Sequence, residues 1–127
     1  FPDGELIDNI EDFSRTLRKI LQDLEPDIIY CPYGEDEHSD HKAAYISLKK
    51  AINDAEINKR IFIRYYVIWG EQPRNATRYT IEPDVLEIKK KALEEYKSQI
   101  RLLGEDFFRK FHSPYEVFVE EIVESGR

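Results

Sequence analysis

The sequence predicts an α/β fold, and three observations carry that expectation. Apolar residues recur at steps of three and four from Ile7 to Leu24, two short apolar runs follow at 27–32 and 61–69, and a second helical periodicity separates those runs. Helix, strand, helix, strand, helix is the order in which helices cover a mainly parallel sheet through right-handed crossovers.

Taken in order, Ile7, Ile10, Phe13, Leu17, Ile20, Leu21 and Leu24 form one stripe of an amphipathic helix that Pro26 ends. Asp27-Ile-Ile-Tyr-Cys-Pro32 reads as a short buried strand bounded by prolines. A second helix is expected from about Ser39 to Ala55, with Ala44, Leu48, Ala51, Ile52 and Ala55 on one face. Ile61–Trp69 is apolar at both parities, as in the middle of a parallel sheet. Gly70–Ala76 is a loop and Arg78–Glu82 a short strand. Val85, Ile88, Ala92, Tyr96, Gln99 or Ile100, and Leu103 predict one further helix, stopped or kinked at Gly104, and the partial alternation over Glu116–Val123 predicts an edge strand.

The 127 residues suit one domain with a real core. Nineteen basic against 26 acidic residues give a net charge of −7, which argues against nucleic acid or an anionic membrane as partner, since both need a positive surface. No apolar run reaches the roughly 20 residues of a membrane span. A single cysteine, Cys31, excludes an intrachain disulfide and predicts a reducing, cytoplasmic compartment. The chain has no methionine and opens on Phe1, which predicts a polypeptide that begins downstream of its native start.

In an open α/β sheet, ligands sit beyond the carboxyl ends of the strands. The loop there carries Asp36-Glu-His-Ser-Asp-His41, with two of the three histidines of the chain. Residues i and i+3 share a face at a helix start, so His38 and His41 can point into one space. Neutral imidazole is a common zinc ligand, a catalytic zinc takes three protein ligands, and a protonated histidine can serve as general acid. Asp36, Glu37 and Asp40 around His38 favour its imidazolium form. A plainer alternative is that acids simply gather at a helix N-terminus, where the macrodipole favours them by about 0.3–1 kcal/mol each. Tyr65, Tyr66 and Trp69 fit either a core or a sugar pocket, with Trp69 nearest the carboxyl edge; Tyr33 stands at the mouth of the histidine loop, and His112 reads as structural.

Read in order, Phe1-Pro-Asp-Gly-Glu-Leu6, Glu25–Pro32, Asp36-Glu-His-Ser-Asp-His-Lys-Ala-Ala44, Lys89–Gln99 and Glu116-Val-Phe118 resemble the later two-thirds of the PIG-L/LmbE-like family, the N-acetylglucosaminyl-phosphatidylinositol de-N-acetylases and their relatives. The resemblance implies a Rossmann-like three-layer sandwich and zinc-dependent removal of an N-acetyl group from an N-acetylglucosamine-type small molecule. By the family's H-x-D-H motif, His41 ligates zinc, His38 acts as acid and oxyanion stabiliser, and Asp40 supports the pair. Asp3, Tyr33 and Trp69 are the candidate substrate contacts. Ser39 replaces the motif's usual proline, which removes only rigidity in φ. The family's A-H-P-D-D-E motif, with the other zinc ligands and the general base, precedes the P-D-G segment and does not occur in residues 1–127. The expectation is therefore a portion of a deacetylase domain without its first strands, inactive alone and completed by an N-terminal segment or a second copy. The competing reading is a sugar- or partner-binding relative that has lost the metal site.

Overall fold

The structure is a computed structural model and describes residues 1–124. Its four strands are β1 (Ile28–Pro32), β2 (Ile61–Tyr66), β3 (Thr77–Thr80) and β4 (Tyr115–Val123), in the sheet order β1-β2-β4-β3. The chain forms two compact units, Phe1–Thr77 together with the chain from Phe118, and Arg78–Val117.

In the first unit a 3₁₀ turn (Leu6–Asn9) leads into α1 (Ile10–Leu24), so the predicted stripe is present with its first residues wound more tightly. Glu25 caps α1 in the left-handed region (φ 44°), its N–H donating to Leu21 O at 3.0 Å, and Pro26 prevents continuation. α2 spans Ser39–Asp54 and packs on both α1 and β1. Its buried face is Ala43, Ser47, Leu48, Ala51 and Ile52; the three small residues let the helix lie close to its neighbours. The stripe is rotated from the expected one, with Ala43 rather than Ala44 fully enclosed.

β1 and β2 run parallel, Ile28 opposite Phe62 and Pro32 opposite Tyr66. β4 runs antiparallel to β2, Ile61 opposite Val123 and Tyr65 opposite Val119, so the sheet is mixed rather than mainly parallel. Nor is β4 an edge strand: it lies between β2 and β3. Partial alternation in a sequence reports one buried face and is silent about what pairs with each edge. β2 ends at Tyr66, where Val67–Gly70 turns off to form part of the site.

The core fills one face of this sheet: Leu21 from α1, Leu48, Ala51 and Ile52 from α2, and Cys31, Ile61, Ile63, Tyr65, Val119 and Val123 from the strands. On the opposite face Ile28, Phe62 and Ile122 stand in a lateral row and are each roughly half exposed. The expectation of two buried faces on β1 and β2 therefore fails within the described residues. Continuous hydrophobicity along a strand marks both faces as apolar, and only packing decides which one is covered. Lys49 bridges the core rim, its Nζ 2.7 Å from a Glu121 oxygen that also belongs to the carboxylate receiving the Tyr65 hydroxyl at 2.7 Å.

Cys31 is buried, and desolvation pushes its thiol from 9.0 up to about 12. The folded thiol thus keeps its proton where the unfolded one loses it. This contribution to stability is complete below pH 9 and declines as pH rises toward 12. We expect Cys31 to resist a thiol-specific reagent at pH 8 and to react at once in denaturant; equal rates in the two conditions would show that the thiol is not enclosed.

In the second unit β3 is followed by α3 (Pro83–Glu94), α4 (Lys97–Leu103), α5 (Glu105–Arg109) and a 3₁₀ turn (Lys110–His112). The predicted helix over 85–103 is thus two helices, interrupted at Glu95 and Tyr96, where Tyr96 leaves helical geometry (ψ 52°) and its ring meets Phe108 at 6.5 Å. No proline or glycine marks that break, so the apolar periodicity runs through it unaltered. Gly104 (φ +86°) does separate α4 from α5. Lys89 and Glu116, both within the motif resemblance, form an ion pair at 3.4 Å here. No helix among the described residues is long and apolar enough to cross a membrane.

Candidate active site

Because β1 and β2 are parallel, the segments leaving them emerge at the same edge of the sheet, and the two segments are tied together. Tyr33 N–H donates to Tyr66 O at 2.7 Å, and Glu37 N–H donates to Trp69 O at 2.8 Å. Gly70 (φ +118°) makes the second contact possible: a Cβ there would stand 3.2 Å from Glu37 Cγ in a conformation that L-residues rarely adopt. Gly34 serves a packing need instead. A Cβ on it would lie 2.8 Å from the Tyr45 ring, which is wedged between Tyr33 and Tyr65 at centroid distances of 5.7 and 5.2 Å. Tyr33 is accordingly half-buried in an aromatic cluster.

Asp36 stands at the centre of the loop and is 0% exposed. Its Oδ1 accepts from His38 N–H at 2.9 Å, an Asx turn, while Oδ2 accepts from Ile68 N–H at 2.7 Å and Trp69 N–H at 3.1 Å. His41 Nδ1 lies 3.1 Å from the same Oδ2. Burial pushes the Asp36 carboxyl upward, but the amides of His38, Ile68 and Trp69 together with the His41 imidazole outweigh it and hold the group below the usual carboxylate range. Asp36 was legible in the sequence as the first residue of an Asp-x-His turn, yet the reading gave it only a charge effect on His38.

His38 is the N-cap of α2, with its Nδ1 accepting from Asp40 N–H at 3.1 Å. An Nδ1 that accepts leaves Nε2 as the nitrogen from which the ring can donate. The His41 ring stacks on it at 4.7 Å and 28°. His41 Nδ1 is shielded from solvent and has no aligned hydrogen-bond partner, while the side chain as a whole is 27% exposed, so the accessible edge is the one toward Nε2. Trp69 lies beside this pair, its ring 6.4 Å from that of His38.

Asp40 faces the other way. Its carboxylate accepts from Gly4 N–H at 2.8 Å and Leu6 N–H at 3.2 Å, pinning the Pro-Asp-Gly segment to the start of α2. The Gly4 amide leads in holding this carboxyl low, against a desolvation that raises it; the Leu6 amide, His38 and Asp3 add to the lowering. Its link to the histidine pair is the backbone amide on His38. Asp3 itself is exposed and adjoins Asp40. The six residues singled out from sequence thus lie in one unit, four of them on the loop and the start of α2 and Trp69 and Asp3 on the two segments tied to it, and Asp36 joins them.

The accessible Nε2 edge of His41, with a carboxylate behind Nδ1, has the donor chemistry of a zinc-directed imidazole. It is one donor: no group of three histidine, cysteine or carboxylate side chains able to hold a metal occurs among the described residues.

Comparison with known proteins adds to this geometry. Residues 1–52, which include Asp3, Asp36, His38, Asp40 and His41, match the family model PIG-L, described as GlcNAc-PI de-N-acetylase. A deacetylase of the teicoplanin biosynthesis pathway, solved as a complex with bog, superposes with a TM-score of 0.68 at 19% identity over 99% of this chain and 57% of that one. The zinc-inhibited form of teicoplanin deacetylase Orf2 gives a TM-score of 0.67 at 18% identity over 98% of this chain and 55% of its own. This chain therefore spans little more than half the length of either structure, and at such identity the likeness is one of fold. The histidine loop thus lies within the stretch that matches the PIG-L family model, and the fold over nearly the whole chain is similar to that of the two deacetylase structures.

Proposed function

We propose that this chain contributes the acid and one metal ligand to a zinc-dependent N-deacetylase whose substrate is an N-acetylated amino sugar or its conjugate. The observation that carries the reading is the division of labour between the stacked imidazoles: His41 offers an accessible Nε2 edge with its Nδ1 toward a buried carboxylate, and His38 keeps a proton on Nε2 beside it. His41 is the zinc donor. Zinc held in part by His41 would supply Lewis acidity toward a carbonyl oxygen and a water of lowered pKa. As water adds to the carbonyl carbon and gives its proton to a base outside these residues, His38 Nε2–H hydrogen-bonds the oxygen on which negative charge develops; when the C–N bond breaks, the amine takes its proton from His38 in the imidazolium form, which returns to the neutral ring. Asp40 holds that ring through its amide and fixes the Asp3 segment in place. Trp69 offers an aromatic face against which the apolar side of a sugar ring can lie, with Tyr33 lining the loop mouth and Asp3 able to accept from a sugar hydroxyl.

The test is made on the full-length gene product. His41→Ala is expected to weaken zinc binding by at least about 100-fold, read as metal content after dialysis against a chelator. His38→Ala should retain zinc while acetate release from an N-acetylglucosamine conjugate falls by about 10²–10⁴-fold. Equal zinc content in the two variants would overturn the assignment. Sugar binding by calorimetry with neither zinc nor turnover in the parent protein would establish the binding-module reading instead.

A further inference from the structure

We infer that Asp36 is the positioning residue of this site: its carboxylate fixes the proton of His41 on Nδ1, so that Nε2 is the lone pair offered outward, and the same carboxylate locks the Trp69 segment onto the histidine loop. The inference deepens the proposed function and rests on its reading of His41 as the donor.

The geometry assigns this role to Asp36 for three reasons. The carboxylate is fully enclosed; it accepts from two backbone N–H groups on Oδ2 and one on Oδ1, and the His41 imidazole edge stands 3.1 Å from Oδ2. With those positions filled it is not free to coordinate a metal itself; its effect must pass through the groups it holds. Next, His41 Nδ1 is buried without any aligned partner, so the Asp36 charge decides which nitrogen carries the proton. A carboxylate beside one ring nitrogen favours N–H there and leaves the other nitrogen as the lone pair. Finally, the carboxylate that would be expected to do this from the motif alone, Asp40, accepts from Gly4 and Leu6, and its one hydrogen bond to the pair is made by its backbone amide on His38. The two histidines consequently carry opposite tautomers, Nδ1–H on His41 and Nε2–H on His38, each set by a different neighbour. Trp69 is coupled to the same point, since its amide and that of Ile68 share Oδ2 with His41.

Long-range ¹H–¹⁵N spectra of the histidine rings, recorded on the metal-free chain at neutral pH, test this. In the parent protein His41 should be in the Nδ1–H form by at least about tenfold, the preference expected from a charge-assisted contact. Asp36→Asn is isosteric and can turn its carbonyl oxygen toward the Ile68 and Trp69 amides, so the loop should persist while the Nδ1–H preference falls by about tenfold. Asp36→Ser replaces the carboxylate by a shorter, uncharged hydroxyl and should give the same shift or a larger one if the asparagine variant does not fold. His38 should stay Nε2–H throughout, because its determinant is the Asp40 amide. A parent His41 protonated on Nε2, or a His41 tautomer ratio unmoved by these variants, would overturn the inference; a merely structural Asp36 would change stability and leave the ratio alone. Because no metal is present, failure here leaves the zinc-content experiment standing, and loss of the zinc reading leaves the tautomer result intact.

Discussion

Asp36→Ala should lower the stability of the chain by about 3–5 kcal/mol, a cost as large as that of a core truncation. The carboxylate accepts from three backbone N–H groups, His38 at 2.9 Å, Ile68 at 2.7 Å and Trp69 at 3.1 Å, in a place where it is 0% exposed. Each orphaned donor costs about 1–3 kcal/mol, and bonds to a charged acceptor lie at the upper end. Removing a buried charge returns part of that, and water entering the gap returns more, so the net falls below the simple sum. The segments leaving β1 and β2 would also lose their common anchor. The check is urea denaturation followed by far-UV circular dichroism, with the m-value unchanged and only the midpoint shifted. A loss under about 1 kcal/mol would mean that the backbone bonds Tyr33–Tyr66 and Glu37–Trp69 hold the loops without the carboxylate.

Ile63→Ala is the second large effect, about 2–5 kcal/mol, with Phe62→Ala costing less than half as much. The two residues are adjacent on β2 and point to opposite faces. Ile63 is 0% exposed beneath α1 and α2, whereas Phe62 is 43% exposed beside Ile28 and Ile122. Truncating an enclosed Ile leaves a cavity as well as removing buried apolar area; truncating a half-exposed ring removes less burial and leaves no void. The paired denaturation curves therefore report which sheet face holds the core of this chain. Equal losses would show that both faces are covered in solution, as the sequence alone suggested.

The comparison of histidine loop and sheet explains which features were legible beforehand. α1, α2, β1 and β2 were readable because their signals are local: the period of the apolar stripe, the prolines at 26 and 32, and the run beginning at Ile61. The parallel β1–β2 pair brings the Pro32–His41 loop and the Trp69 loop to one edge, as the α/β rule requires. His38 and His41 share a space because they are three residues apart at the start of a helix. None of that needed long-range information.

The direction and place of β4 are another matter. Its neighbours β2 and β3 are fixed by hydrogen bonding between segments far apart in the chain, and nothing within Glu116–Val123 records them. The break at Tyr96 is similar, since the apolar period passes through it and the departure from helix coincides with a contact to Phe108.

What the sequence determined by itself was the chemistry available: two imidazoles among carboxylates at the end of a strand, with a tryptophan following the next strand. What the tertiary structure decided was which carboxylate serves which ring. Asp40 looks like the natural support for the pair because it lies between them, yet its side chain turns to Gly4 and Leu6, while Asp36 is drawn inward by the amides of Ile68 and Trp69, more than thirty residues along the chain. A buried charge settles where enough donors converge to offset its lost hydration, and that convergence exists only once β1 and β2 have paired.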